Sequence, residues 1–87
     1  MDGRTVKNID HIAMAAVWWY YPSWVCTREV HDVGRRFASS LPMTFPDLPS
    51  RQAFQAALKR LADDGKLRRQ SRSDGTSYWS INNGTGA

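Results

Sequence analysis

Between Ser50 and Ile81 the spacing of apolar residues changes period, and that change limits the folds open to the chain. Phe54, Ala57, Leu58 and Leu61 recur at helical spacing, which predicts an amphipathic helix over 51–64 capped by Ser50. Gly65 follows, the residue best able to take the left-handed conformation at a helix end. Lys66 to Arg72 and Thr76 to Ile81 then read as two short strands, because Ser73-Asp74-Gly75 between them is a strong hairpin signal. Seven cations fall in this stretch (Arg51, Lys59, Arg60, Lys66, Arg68, Arg69 and Arg72), against the acids Asp63, Asp64 and Asp74. A basic helix followed by a basic two-stranded ribbon is a shape that fits a groove of duplex DNA while its flanks touch phosphate.

The whole chain sets the frame for that segment. Eighty-seven residues make one small domain in which most apolar side chains must serve a single core. Such a domain has little room for a deep substrate cleft, which lowers the expectation of an enzyme. The catalytic inventory is thin as well. His11 and His31 are far apart, Cys26 has no local partner, and no phosphate-binding glycine loop or nucleophile motif occurs. Cys26, His31 and Asp32 match no zinc spacing, so neither metal nor cofactor is expected.

The formal net charge of +4 favours a polyanionic partner, although many small proteins carry such a charge without one. A single cysteine excludes an intramolecular disulfide and suits a reducing cytosolic setting. The apolar run from Ile12 to Tyr21 is about half the ~20 residues of a membrane span, and no signal-peptide cleavage site follows it. The expectation is a cytoplasmic protein without a membrane partner, nucleoid-associated if it binds DNA.

Before Ser50 the chain predicts two more helices. Met1 to Asn8 is polar and expected to be loose, as is the tail from Asn82 to Ala87, leaving a folded part over 9–81. The first helix runs from Ile9 or Asp10 to Tyr21, with Asn8 or Asp10 as cap candidates and Pro22 as its stop. Ile9, Ile12, Ala13, Ala16, Val17 and Tyr20 form its core side. Met14, Trp18 and Tyr21 make a second apolar stripe on the side that should meet water, with Trp19 at the border. Either the chain's own loops cover that stripe, or another protein or a second copy does.

Ser23 to Cys26 suits a short strand, and Thr27 is a natural cap for a second helix from Arg28 to Ser40 with Val30, Val33, Gly34 and Phe37 on its apolar face. Gly34 weakens that helix by up to about 1 kcal/mol against alanine, so either another backbone approaches closely there or a weak helix is simply tolerated. Leu41 to Pro49 carries three prolines and predicts a stiff loop pinned to the core by Met43, Phe45 and Leu48.

In this order (helix, short strand, helix, helix, two-stranded hairpin) the chain resembles the winged helix-turn-helix DNA-binding domains. The nearest local match is the run Ala57-Leu58-Lys59-Arg60-Leu61-Ala62-Asp63-Asp64-Gly65-Lys66-Leu67-Arg68-Arg69, which looks like the end of the family's third helix and the start of its wing. Thr27-Arg28-Glu29-Val30, opening the second helix after a short strand, also fits. The loop before the third helix is longer than the family's usual turn, and the wing tip Ser73-Asp74-Gly75 is tight and carries an acid.

The resemblance implies an α+β fold: a three-helix winged helix-turn-helix with a short strand after helix 1 and a C-terminal two-stranded β-hairpin wing. It also implies a double-stranded-DNA-binding protein, a transcriptional regulator or an architectural recombination factor. On that reading Gln52, Gln55 and Lys59 face base edges in the major groove. Arg28 and Arg51 hold phosphate, and Arg68 and Arg72, alternating with Leu67, Arg69 and Ser71, run along the backbone. Arg35 and Arg36 are further flank contacts. By alternation Tyr78 and Trp79 point to opposite faces of the hairpin: either Trp79 and Ile81 pack inward with Tyr78 outside, the arrangement expected here, or the reverse. The rival reading is a winged-helix protein-protein adaptor that works through the aromatic first helix, with Met14, Trp18 and Tyr21 as its interface, and through the proline-rich loop.

Overall fold

Three stripes of apolar residues at helical spacing meet in one core, and the hairpin closes it from one side. The computed structural model describes residues 3–82. Within them the chain forms α1 (Gly3–Tyr20), β1 (Val25–Cys26), α2 (Thr27–Ser39), α3 (Arg51–Asp63), β2 (Leu67–Ser71) and β3 (Ser77–Ile81). The strands make an antiparallel sheet in the order β1-β3-β2, so the molecule is a small α+β domain of three helices and one three-stranded sheet. Among the described residues no helix is long and apolar enough to cross a membrane.

On α1, Ile9, Ile12, Ala13, Ala16 and Val17 are buried and Tyr20 is partly so, as the spacing requires. The helix starts at Gly3, well before Ile9, so the residues from Gly3 to Asn8 are helical where a loose segment is expected. Asn8 and Asp10 therefore lie inside the helix and cap nothing. No proline interrupts the run, and Asp10 is engaged elsewhere. Its carboxylate accepts hydrogen bonds from Arg60 Nη2 at 2.6 Å and Nε at 3.4 Å, tying α1 to α3. Part-exposed, this ion pair is worth on the order of 1 kcal/mol or less. Met1 and Asp2, and 83–87 of the expected tail, lie outside the described residues. Asn82 is held, since its backbone N–H donates to the Lys66 carbonyl (3.1 Å) and its side-chain amide to the Gly65 carbonyl (2.9 Å).

The strand expected over Ser23–Cys26 shortens to Val25–Cys26, because the Ser23 N–H is committed to the Tyr20 carbonyl (2.8 Å) in the turn after Pro22. Val25 pairs with Trp79 and Cys26 with Tyr78. The cap of α2 is Cys26, not Thr27. The Cys26 N–H and thiol both donate to Glu29 Oε1, at 3.4 Å and 3.3 Å. The Thr27 hydroxyl instead accepts from the indole Nε1 of Trp79 at 3.1 Å. Trp79 is fully buried, and a buried indole N–H needs such a partner.

Val30, Val33, Gly34 and Ala38 bury the inner side of α2, with Phe37 packed against its edge. The close neighbour of Gly34 is a side chain rather than a backbone. A Cβ there would lie 2.5 Å from Cζ of the buried Phe54 ring, so the glycine makes room for the largest core residue of α3. In the loop from Leu41 to Pro49 only Phe45 among the three expected anchors is buried. Met43 is 97% exposed and Leu48 is exposed, because the loop turns tightly, with the Thr44 and Phe45 N–H groups both donating to the Leu41 carbonyl. Side chains in such a turn do not alternate as they would in a strand.

Ser50 caps α3 as expected, its hydroxyl accepting from the Ala53 N–H at 3.1 Å. At the other end Gly65 takes φ +79°, its N–H donates to the Ala62 carbonyl and the Lys66 N–H to the Leu61 carbonyl. That is the Schellman arrangement, and it turns the chain into β2. β2 and β3 pair from Leu67 opposite Ile81 to Ser71 opposite Ser77. The connection is a tight loop with Gly75 at φ +85°, closed by the Gly75 N–H on the Arg72 carbonyl and the Arg72 N–H on the Thr76 carbonyl. Leu67, Trp79 and Ile81 point inward, while Tyr78 lies on the other face.

Candidate nucleic-acid interface

Arg51, Gln55 and Lys59 stand four residues apart on α3 and so form one edge of that helix. Capping by Ser50 sets where the edge begins, and burial of Phe54, Ala57, Leu58 and Leu61 sets which way it faces. Arg51 and Gln55 line a groove of about 440 Å³ with Cys26, Thr27 and Arg28 at the start of α2 and Asp74 to Ser77 at the hairpin turn. One turn further, Lys59 lines a second depression with Ala62, Asp63, Leu67, Arg69 and Trp79.

Two contacts tie the linings of these two neighbouring hollows, together the cleft, to each other. The Arg69 guanidinium lies 5.3 Å over the Trp79 ring and donates to the Ser77 hydroxyl at 3.0 Å, while the same indole reaches Thr27. Trp79 lies in the lining of the second hollow; Arg28 and Arg51 are the cations of the first, Lys59 and Arg69 those of the second. Two acids share the cleft, Asp74 in the first hollow and Asp63 in the second. The Asp74 carboxylate is held below the usual carboxylate range, first by the Thr76 backbone N–H (2.9 Å) and then by the Thr76 side chain, against an opposing desolvation, with Arg72 adding a lesser lowering. It therefore stays ionised at neutral pH, fixed within the turn.

The expected site residues divide between different surfaces. Arg28, Arg51 and Gln55 come together, Lys59 adjoins them, and Gln52 is exposed on α3 beside that edge. Arg68 and Arg72 do not share their face. Arg72 lies over Tyr78 (4.4 Å) and Arg68 over Trp24 (6.0 Å), on the side of the sheet turned away from Trp79. The cation that the hairpin offers to α3 is Arg69, which the sequence reading sets on the side away from the phosphate contacts. Its place follows from strand alternation once the turn fixes the register, because Arg69 pairs with the inward Trp79. Arg60, counted among the cations of this segment, is taken by Asp10. Arg35 and Arg36 line a separate depression with Asp32, Ser39 and Leu48.

The second stripe of α1 is only partly covered. Met14 packs against the core, but Trp18 is 51% exposed and meets the exposed Tyr21 in a tilted ring contact with centroids 5.0 Å apart. Trp19, at 69% exposure, is the most open of the large aromatics and meets the edge of Phe37. His31, expected at the surface, is partly buried with its ring edge-on to Phe54 (5.7 Å), and the Cys26 thiol is turned to Glu29. No protein-family model, curated protein or solved structure matches this chain.

Proposed function

We propose that this protein binds double-stranded DNA in the manner of a winged helix-turn-helix domain, with α3 in the major groove and the β2–β3 hairpin along the adjacent backbone. The observation that carries the reading is the placement of Arg28, Arg51 and Gln55 in one hollow and of Lys59 and Arg69 in the next, along the same edge of α3 and beside the hairpin. Gln52 and Gln55 suit adenine edges and Lys59 suits guanine, while Arg28, Arg51 and Arg69 suit phosphates on either side. Asp63 and Asp74 repel phosphate from the cleft's two ends and so favour one placement of the backbone. A regulator of transcription or an architectural recombination factor would use such a surface, and a site this short gains specificity from a second copy or a second protein.

Fluorescence anisotropy with random-sequence duplex at low and moderate salt tests the reading. With three phosphates neutralised, log K falls with log salt at a slope of about −2.7, from about 0.9 for each phosphate. Absence of binding at micromolar protein and low salt contradicts it.

A second reading, a protein-interaction adaptor, draws on the open aromatic rings of Trp18, Trp19 and Tyr21 at the end of α1. Exposed aromatic clusters of this kind mark contacts more often than they serve stability. Sedimentation velocity at tens of micromolar, with and without Trp18→Ser and Trp19→Ser, reads that surface directly.

A further inference from the structure

The outer face of the sheet, turned away from the cleft, is built from different chemistry. Tyr78 occupies its centre, on the middle strand between Cys26 of β1 and Gln70 of β2. Two residues along β3 lies Ser80, opposite Arg68. Ser80 alternates onto the outer face yet is only 7% exposed. Trp24, just before β1, and Arg68, on β2, reach each other across the middle strand, the guanidinium 6.0 Å from the indole ring. Arg72 sits 4.4 Å over Tyr78 in the same way. The outward positions of the hairpin strands thus carry cations and no acid. Of the nearby acids, Glu29 is held to Cys26 and Asp74 to Thr76, with Arg72 close enough to Asp74 to favour its ionised form.

We propose that this outer face binds an unpaired DNA strand, with bases stacked on Tyr78 and Trp24 and phosphates held by Arg72 and Arg68. An aromatic platform beside arginines is what single-stranded nucleic acid needs, since every base has a flat face and every step a charge. The two rows lie about 7 Å apart along the strand, close to two stacked-base steps of about 3.4 Å. Each guanidinium covers the ring face that an incoming base takes. A base displaces it, and the freed cation meets the neighbouring phosphate, so what is given up is an exposed cation–π contact. Selection of DNA rests on the duplex reading above: with duplex held by α3 and an unpaired strand on the outer face, the two surfaces engage the same nucleic acid at a junction of paired and unpaired strands.

The experiment is anisotropy of the full chain with labelled oligothymidylate of about 12 nucleotides, run beside a duplex and an RNA oligomer of the same length. Binding of the single strand is expected. Tyr78→Ala weakens it roughly five- to hundredfold. The pair Arg68→Gln and Arg72→Gln, at exposed positions with the fold checked by circular dichroism, flattens the salt slope by about 1.4, from about 0.7 for each of two phosphates. Both leave duplex affinity unchanged. Arg51→Gln with Lys59→Ala does the reverse, weakening duplex and sparing the single strand. Failure to bind oligothymidylate, loss of it through the α3 substitutions, or tighter binding of the RNA overturns the proposal. Absence of duplex binding alongside the expected single-strand results removes the duplex reading and leaves this surface standing.

Discussion

The two faces of the β2–β3 hairpin are made from alternate residues of the same two strands and have opposite characters. Leu67, Trp79 and Ile81 on the inner face are buried, and Arg69 closes over Trp79 at its rim. On the outer face Arg68, Gln70 and Arg72 are exposed and Tyr78 between them is half-buried. A run of Leu-Arg-Arg-Gln-Ser-Arg is therefore not one basic patch. It splits into a single cation facing α3 and a pair facing away, and register decides which is which. Positive charge in a sequence identifies a class of partner, whereas strand alternation identifies the surface that meets it.

The contrast can be broken most forcibly through Trp79. Trp79→Ala should cost about 3–5 kcal/mol in urea unfolding, since it empties the core beneath the cleft, while Tyr78→Ala on the other face should cost about 1 kcal/mol or less. Equal losses would mean that the outer face is structural. Thr27→Val should remove about 1–3 kcal/mol by leaving the buried indole N–H without its acceptor, more than an exposed threonine hydroxyl would.

Binding sharpens the contrast further. Arg69→Gln should flatten the salt slope for duplex by about 0.9, and Arg72→Gln should leave it unchanged. The smallest effect belongs to Asp74. Its carboxyl is lowered in the folded state, so its contribution to stability is complete above the unfolded carboxylate value of about 3.9 and is lost as pH falls through the lower folded value. Asp74→Asn should then flatten the acid limb of the stability curve below about pH 4 and slightly tighten duplex binding at neutral pH, checked by acid titration of circular dichroism and by anisotropy.

What was legible in the sequence is what local chemistry decides. Ser50, Gly65 and Ser73-Asp74-Gly75 mark a cap, a stop and a turn because each acts on neighbours within a few residues, and all three stand where the spacing places them. Alternation puts Trp79 and Tyr78 on opposite faces in the same way, but which of them turns inward is decided by the core. Thr27 looked like a cap because threonine caps helices, but its hydroxyl is claimed by an indole 52 residues away. Arg60 looked available to a ligand because Asp10 is 50 residues distant. Met43 and Phe45 are alike in sequence, and only the turn at Leu41 separates one from the other. In the candidate site the sequence placed Arg28, Arg51 and Gln55 and already separated Arg69 from Arg68 and Arg72 by alternation, but set the duplex against the face turned away from α3, since which face turns to α3 depends on how the hairpin packs.

The central claim is that duplex DNA lies in the cleft between α3 and the inner rim of the hairpin. Heteronuclear NMR of the labelled protein titrated with a short duplex tests it most directly. Shift changes should concentrate at Arg28, Arg51, Gln52, Gln55, Lys59, Arg69 and the Asp74–Ser77 turn, and leave Trp18 and Trp19 still. Changes centred on Trp18 and Trp19, or none at saturating duplex in low salt, would contradict it.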